Sequence, residues 1–257
     1  MKTFEEWLEE FKKEIEKGYQ DTTMVSSLSE YIHKDRDKPL TTLPMYDGPP
    51  TASTLTQGGT ITTVRFTLRS VKPIDAGFTL NLKDWADNLD QYFMDPLMNQ
   101  LGKDLADREY WIIVNGMIAY AGNTVNVKQK GQLSKDDIRE AQRQVLGTYA
   151  DCAIMTPQQE AQFWKNGQML APDRIPSGYI PKERRGYYYT GMIDGVNVYV
   201  ASFIKDFALV FGRREMIFAS TPLKISFDNM EHPKQLILHK QCTSAPMFDN
   251  AVAKIQL

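Results

Sequence analysis

Cysteine, histidine and long apolar runs are scarce in this chain of 257 residues, which has two cysteines and three histidines. Cys152 and Cys242 stand in no metal-binding or redox spacing, so both are predicted to be small buried hydrophobes. No apolar run reaches the roughly 18 residues that a membrane-spanning helix needs. The first residues, MKTFEEWLEEFKKEIEKG, lack the basic and then apolar pattern of a signal peptide. The sequence therefore predicts a cytosolic protein.

An excess of charge of either sign is absent as well. The chain has 30 Lys and Arg against 32 Asp and Glu, with 42% hydrophobic and 24% charged residues, which fits one or two ordinary soluble domains. This balance argues against a protein that coats nucleic acid through a basic face. Any contact with nucleic acid is expected to be weak or indirect.

Motifs of catalysis and cofactor binding are also missing. The sequence contains no GxGxxG, GxxxxGK[ST], HExxH or GxSxG pattern. The histidines have no carboxylate or cysteine partners at ligand spacing, which favours surface or packing roles: His33, His232 and His239. Three acids in LKDWADNLDQ are typical of the solvated face of an amphipathic segment: Asp84, Asp87 and Asp90. We therefore predict no enzymatic activity, no metal and no cofactor.

Local signals are strongest between Ser134 and Val200. Ser134 is the predicted N-cap of a helix in SKDDIREAQRQVLGTY, and the apolar run YADCAIM predicts a central strand covered on both faces. Thr156, Pro157 and Gln159 have the pattern of a capping box, opening a helix that ends at Asn166-Gly167. Asp194-Gly195 predicts a two-residue hairpin, and FALVFGRREMIFAS, KISFD, KQLILHKQC and AVAKIQL predict later strands.

The segment from Ala171 to Tyr189 is a predicted loop rich in proline, arginine and tyrosine. Arg184 and Arg185 with the tyrosines from Tyr187 could form a platform for single-stranded nucleic acid, since cations and aromatic rings stack on bases. A subunit contact or a pore, where Arg and Tyr are enriched, is the favoured interpretation.

The first half of the chain contains two elements that favour contact with neighbouring molecules. Residues 4–17 predict a helix with Trp7 and Phe11 in its apolar stripe and Gly18 as its end, followed by a loose tract that makes the helix an arm. From Pro50, TASTLTQGGTITTVRFTLRSV predicts a hairpin around Gly58-Gly59. Because a two-stranded hairpin is marginal in water, a projecting one would need a partner to cover its apolar side chains.

A long helix is predicted from Pro96 to Val114, before Asn115-Gly116. Its length would be roughly 28 Å at 1.5 Å per residue. Its inward side is formed by Leu97, Leu101, Leu105, Ile112 and Ile113. This helix could form the backbone of an elongated domain.

The order of these parts resembles the Hong Kong 97-like major capsid proteins of tailed phages and archaeal viruses, a fold also used by encapsulins. The resemblance covers nearly the whole chain and is most specific in CAIMTPQQEAQFW, GMIDGVNVYVAS and KQCTSAPMFDNAVAKIQL. It implies an α+β fold with an N-terminal arm (1–47), an extended E-loop hairpin (48–72), a P-domain with a spine helix (73–118), a compact A-domain (119–220) and a return through the P-domain to a C-terminal strand (221–257).

The resemblance also implies a function and partners. The chain is expected to assemble through hexamers and pentamers into an icosahedral shell around a packaged DNA genome, in a virion formed in the host cytoplasm. An encapsulin shell around cargo protein, and a small soluble enzyme or nucleic-acid-binding protein, are the alternatives. Scaffolding, if used, should come from a separate protein or from the short N-terminal helix, and a portal is a further expected partner. Residues 48–71 contain no lysine, so autocatalytic cross-links are not predicted.

The residues expected at subunit interfaces come from the arm, the E-loop and the tyrosine-rich loop. They are Trp7, Phe11, Leu55, Ile61, Val64, Arg65, Phe66, Leu68, Arg69, Arg184, Arg185 and Tyr187. Each large apolar side chain covered by a neighbour would contribute about 1.5–3 kcal/mol before entropic costs.

Overall fold

A computed structural model describes residues 4–46, 66–81, 91–145, 150–170, 187–228, 235–247 and 250–257. Its helices are α1 (Phe4–Thr22), α2 (Val25–Leu28), α3 (Gln91–Ala119), α4 (Lys135–Gln144) and α5 (Pro157–Lys165). Its strands are β1 (Tyr31–His33), β2 (Thr42–Tyr46), β3 (Phe66–Ser70), β4 (Ile74–Asp75), β5 (Phe78–Asn81), β6 (Asn123–Asn126), β7 (Cys152–Met155), β8 (Tyr187–Ile193), β9 (Val196–Ala201), β10 (Phe207–Phe211), β11 (Met216–Ser220), β12 (Lys224–Phe227), β13 (Gln235–His239), β14 (Gln241–Pro246) and β15 (Val252–Gln256). This content confirms an α+β fold.

The largest sheet has six strands in the order β6-β15-β10-β7-β9-β8. Side chains alternate between its faces: Ala153 and Val210 join a core with α4 and α5, whereas Ile154 and Phe211 join a core with α3. The sheet is therefore the middle layer of three, and β7 is buried on both faces as predicted.

The local signals that organise this sheet are confirmed. Ser134 and Thr156 cap α4 and α5, each in a complete capping box with the residue three positions later. Asp194 and Gly195 both have positive φ, at 48° and 85°, and form the turn between β8 and β9. The sequence predicts these caps and this turn correctly because all the residues that form each one lie within four positions along the chain.

The described residues also form three smaller sheets. A four-stranded sheet has the order β1-β11-β14-β4, a three-stranded sheet the order β12-β13-β5, and β2 pairs with β3 in an antiparallel ribbon. The predicted strand FALVFGRREMIFAS is interrupted by a short 3-10 turn at Arg213–Glu215, so β10 and β11 lie in different sheets. β15 lies between β6 and β10, which confirms an ordered C-terminal strand.

The predicted spine helix is α3, and it is longer than predicted. It runs through Pro96 and Gly116 over 29 residues, or about 43 Å at 1.5 Å per residue. Gly116 is not a helix end: a Cβ there would lie against the carbonyl oxygen of Ser244 in β14, so glycine permits a close approach of helix and strand. Leu101, Leu105 and Ile113 are buried, which confirms the predicted inward side.

The N-terminal helix α1 also runs past its predicted end. Gly18 lies inside α1, where a Cβ would collide with the backbone of Asn99, and Gly102 of α3 meets the backbone of Ile15 in the same way. The two glycines let the backbones of α1 and α3 cross in direct contact. The expectation of an arm detached from its own chain is therefore wrong for this helix.

Across the described parts of the chain, no helix combines the length and the apolar character that crossing a membrane requires.

Candidate assembly surfaces

The ribbon formed by β2 and β3 is the described part of the predicted E-loop. Its outgoing strand begins at Thr42, earlier than the predicted start at residue 48, and pairs Thr42 with Ser70 and Tyr46 with Phe66. Residues 47–65, where the sequence predicts the turn of the hairpin, fall outside the described residues, and they include Leu55, Ile61, Val64 and Arg65. Phe66 belongs to the backbone of β3, but its side chain is outside the description.

The base of the ribbon is fixed to the body of the protein. Leu43 and Val71 pack with Ile217 of β11 and Ala245 of β14 in a small buried core. The guanidinium of Arg69 lies 5.0 Å from the ring centroid of Tyr120, a cation–π contact within the same chain. The base of the ribbon is therefore held against the four-stranded sheet, and Arg69, predicted as an interface residue, is half-buried against its own chain.

Leu68 is the most exposed large hydrophobic residue among those that the structure describes. Its side chain is 69% exposed, and it alternates along β3 with Thr67 and Arg69. A single exposed leucine is common on protein surfaces. At the root of a narrow ribbon, however, it gives the strand an apolar surface that a second molecule can cover.

Phe11 was also predicted to contact a neighbouring molecule, but it is buried in its own chain. It is 7% exposed and packs in a core with Ile15, Met98, Leu101 and Leu238. The apolar stripe was identified correctly, but its partner is α3 of the same molecule. Trp7 lies on the same helix, and its side chain is outside the described part of the structure.

A buried ion pair lies beside the crossing of α1 and α3. The Lys240 ammonium lies 2.7 Å from Oε1 of Glu109, with 6% and 0% of the two side chains exposed. The Tyr19 hydroxyl donates to Oε2 of Glu109 at 2.6 Å, and the Cys242 thiol lies 3.7 Å from Oε1. Burial and the neighbouring carboxylate raise the pKa of Tyr19 and of Cys242 above their usual ranges. This cluster ties α1, α3 and the junction of β13 with β14 to one another.

Tyr187 is also a core residue, contrary to the prediction. It begins β8, is buried, and stacks on Tyr110 of α3 with ring centroids 4.1 Å apart. Alternation along β8 buries Tyr189 as well, whereas the Tyr188 hydroxyl donates to the carboxylate of Glu160 on α5. Arg184 and Arg185 lie outside the described residues.

The described residues contain no group of three or more His, Cys, Asp or Glu side chains placed to hold a metal ion. Cys152 and Cys242 are both free and buried, as predicted. His239 does have a carboxylate partner that its sequence neighbourhood did not reveal, since Nε2 lies 3.1 Å from Oδ1 of Asp75. The hydrogen bond that Gln241 donates and the one to His239 lower the pKa of Asp75.

The sequence signals missed the Glu109–Lys240 pair altogether. Its members are 131 positions apart, and each stands in an otherwise ordinary sequence context. The one available hint was a lysine between the strand patterns QLILH and QCTSAP, where an uninterrupted strand had been predicted. Lys240 turns inward at that junction.

No family model matches the chain, and no curated protein matches it in sequence. Its fold, however, is similar to those of many solved shell proteins. A virus-like particle from Pyrococcus furiosus is 10% identical, with 98% of this chain and 100% of that chain covered and a TM-score of 0.59. A structure of Gordonia phage Cozz is 14% identical, with 92% of this chain and 86% of that chain covered and a TM-score of 0.56.

A third similar structure is the SrpI encapsulin complex from Synechococcus elongatus PCC 7942. It is 13% identical, with 92% of this chain and 88% of that chain covered and a TM-score of 0.52. Each of these three is a structural shell protein rather than an enzyme. The similarity covers 92–98% of this chain and 86–100% of the chain compared with it. The chain therefore has the Hong Kong 97-like fold that phage capsids and encapsulins share.

Proposed function

We propose that the chain is a structural shell subunit that assembles with copies of itself, through hexamers and pentamers, into an icosahedral container. The observation that carries this proposal is the similarity of nearly the whole chain to proteins of assembled particles, which covers 98% of it for a virus-like particle and 91% for the capsid of a GTA particle. A fold shared along its full length retains the elements through which shell subunits meet. The predicted division into E-loop, P-domain and A-domain is part of this proposal, with the N-terminal arm corrected to a segment whose helix α1 packs on α3.

Physical features of the described residues support assembly through the ribbon. The ribbon base is anchored in a buried core of its own subunit, while Leu68 is left exposed. Because its base is anchored, the ribbon can contact a neighbouring molecule in only one orientation. A contact between different patches of two identical subunits repeats around a ring and closes it when the rotation fits.

The free energy of one such contact is small, and repetition makes it large. Covering a whole leucine side chain contributes about 1.5–3 kcal/mol, so covering the exposed two-thirds of Leu68 contributes about 1–2 kcal/mol. Each subunit would donate one ribbon and receive one. Leu68 would then contribute to two contacts of every subunit in the shell.

We propose a packaged DNA genome as the content, which makes the particle a virion assembled in the host cytoplasm. Phage capsids among the similar structures and the near-neutral charge of the chain support enclosure without sequence-specific binding. An encapsulin shell around cargo protein is the second candidate, favoured by the similarity to the SrpI complex. The nucleic acid and protein contents of particles purified from the native source distinguish the two candidates.

The experiment that tests assembly compares Leu68→Asp with Thr67→Asp. The two changes place the same charge on neighbouring exposed residues whose side chains point to opposite faces of β3. Gel filtration and negative-stain microscopy should show shells or capsomers for the unaltered chain and for Thr67→Asp. Leu68→Asp should give folded, unassembled subunits with an unchanged circular dichroism spectrum, because a carboxylate cannot be buried there without a partner.

Two results would contradict the proposal at different levels. An unaltered chain that remains a monomer at all concentrations would remove the shell function itself. Complete shells of Leu68→Asp would remove the ribbon contact and leave the shell function to other surfaces.

A further inference from the structure

We draw no further inference here: the strongest candidate, the aromatic groove of about 380 Å³ that Phe78, Trp111, Tyr187 and Phe203 line beside α3, carries none, because nothing in the described residues shows what covers it.

Discussion

Replacing Lys240 by methionine should destabilise the subunit far more than the loss of one ion pair suggests. At 2.7 Å and an effective dielectric constant of about 20, the attraction between Lys240 and Glu109 is roughly 6 kcal/mol. Desolvation of the two ions costs several kcal/mol each, so the net contribution of the pair is close to zero. The size of the effect therefore depends on which partners remain.

Lys240→Met leaves the Glu109 carboxylate buried with only the Tyr19 hydroxyl and the Cys242 thiol beside it. An uncompensated buried charge of this kind costs about 3–5 kcal/mol of unfolding free energy. Removing both charges in Glu109→Gln/Lys240→Met should restore most of that loss, because no ion then remains in the core. The double variant should lie within about 1 kcal/mol of the unaltered chain, since replacing a buried ion pair with uncharged groups is often close to neutral.

Urea unfolding of the monomeric chain, followed by circular dichroism, measures these free energies from the midpoint and slope of each curve. Glu109→Gln alone should also be destabilising, since it leaves the Lys240 ammonium without its carboxylate. Additive losses in the double variant would refute the reasoning, because the two groups would then act independently. A loss below about 1 kcal/mol in Lys240→Met would refute it as well.

Two further predictions concern the crossing of α1 with α3 and the buried thiols. Gly102→Ala should lower the unfolding free energy by about 2 kcal/mol, because overpacking against the Ile15 backbone outweighs the roughly 1 kcal/mol helix preference of alanine. Ala161→Gly, at an exposed position in the middle of α5, measures that preference. A stabilised Gly102→Ala would contradict the close crossing. Cys152 and Cys242 should not react with iodoacetamide at pH 8 in the folded chain, because both thiols are buried and burial raises their pKa. Both should react once urea unfolds the chain. Rapid labelling of the folded chain would contradict their buried positions.

Sequence reasoning succeeded where the causes of structure are local. The caps at Ser134 and Thr156 and the turn at Asp194-Gly195 are each complete within a few residues, so the sequence shows every participant. The burial of β7 followed from a short apolar run between turn residues. The same local patterns, in their order along the chain, carried the resemblance to capsid proteins that the structural comparisons confirm at the level of the fold.

Sequence reasoning failed where a residue's role depends on a distant partner. In the sequence, Gly18 and Gly116 have the pattern of helix ends. In the structure they are sites where the helix backbone approaches the backbones of Asn99 and Ser244. The stripe containing Phe11 was correctly apolar, but periodicity cannot tell whether the covering surface belongs to the same molecule or to another. Lys240 was missed because a buried charge is recognisable only with its counter-ion in place.

The position of β15 has a consequence for the timing of biosynthesis. Residues 252–256 lie between β6 and β10, so a nascent polypeptide cannot complete its largest sheet until these residues leave the ribosome. Until then, the edges of β6 and β10 lack their neighbour, and intermediates that expose such edges are prone to misassociate. Each polypeptide can therefore complete this sheet only after residues 252–256 have been translated.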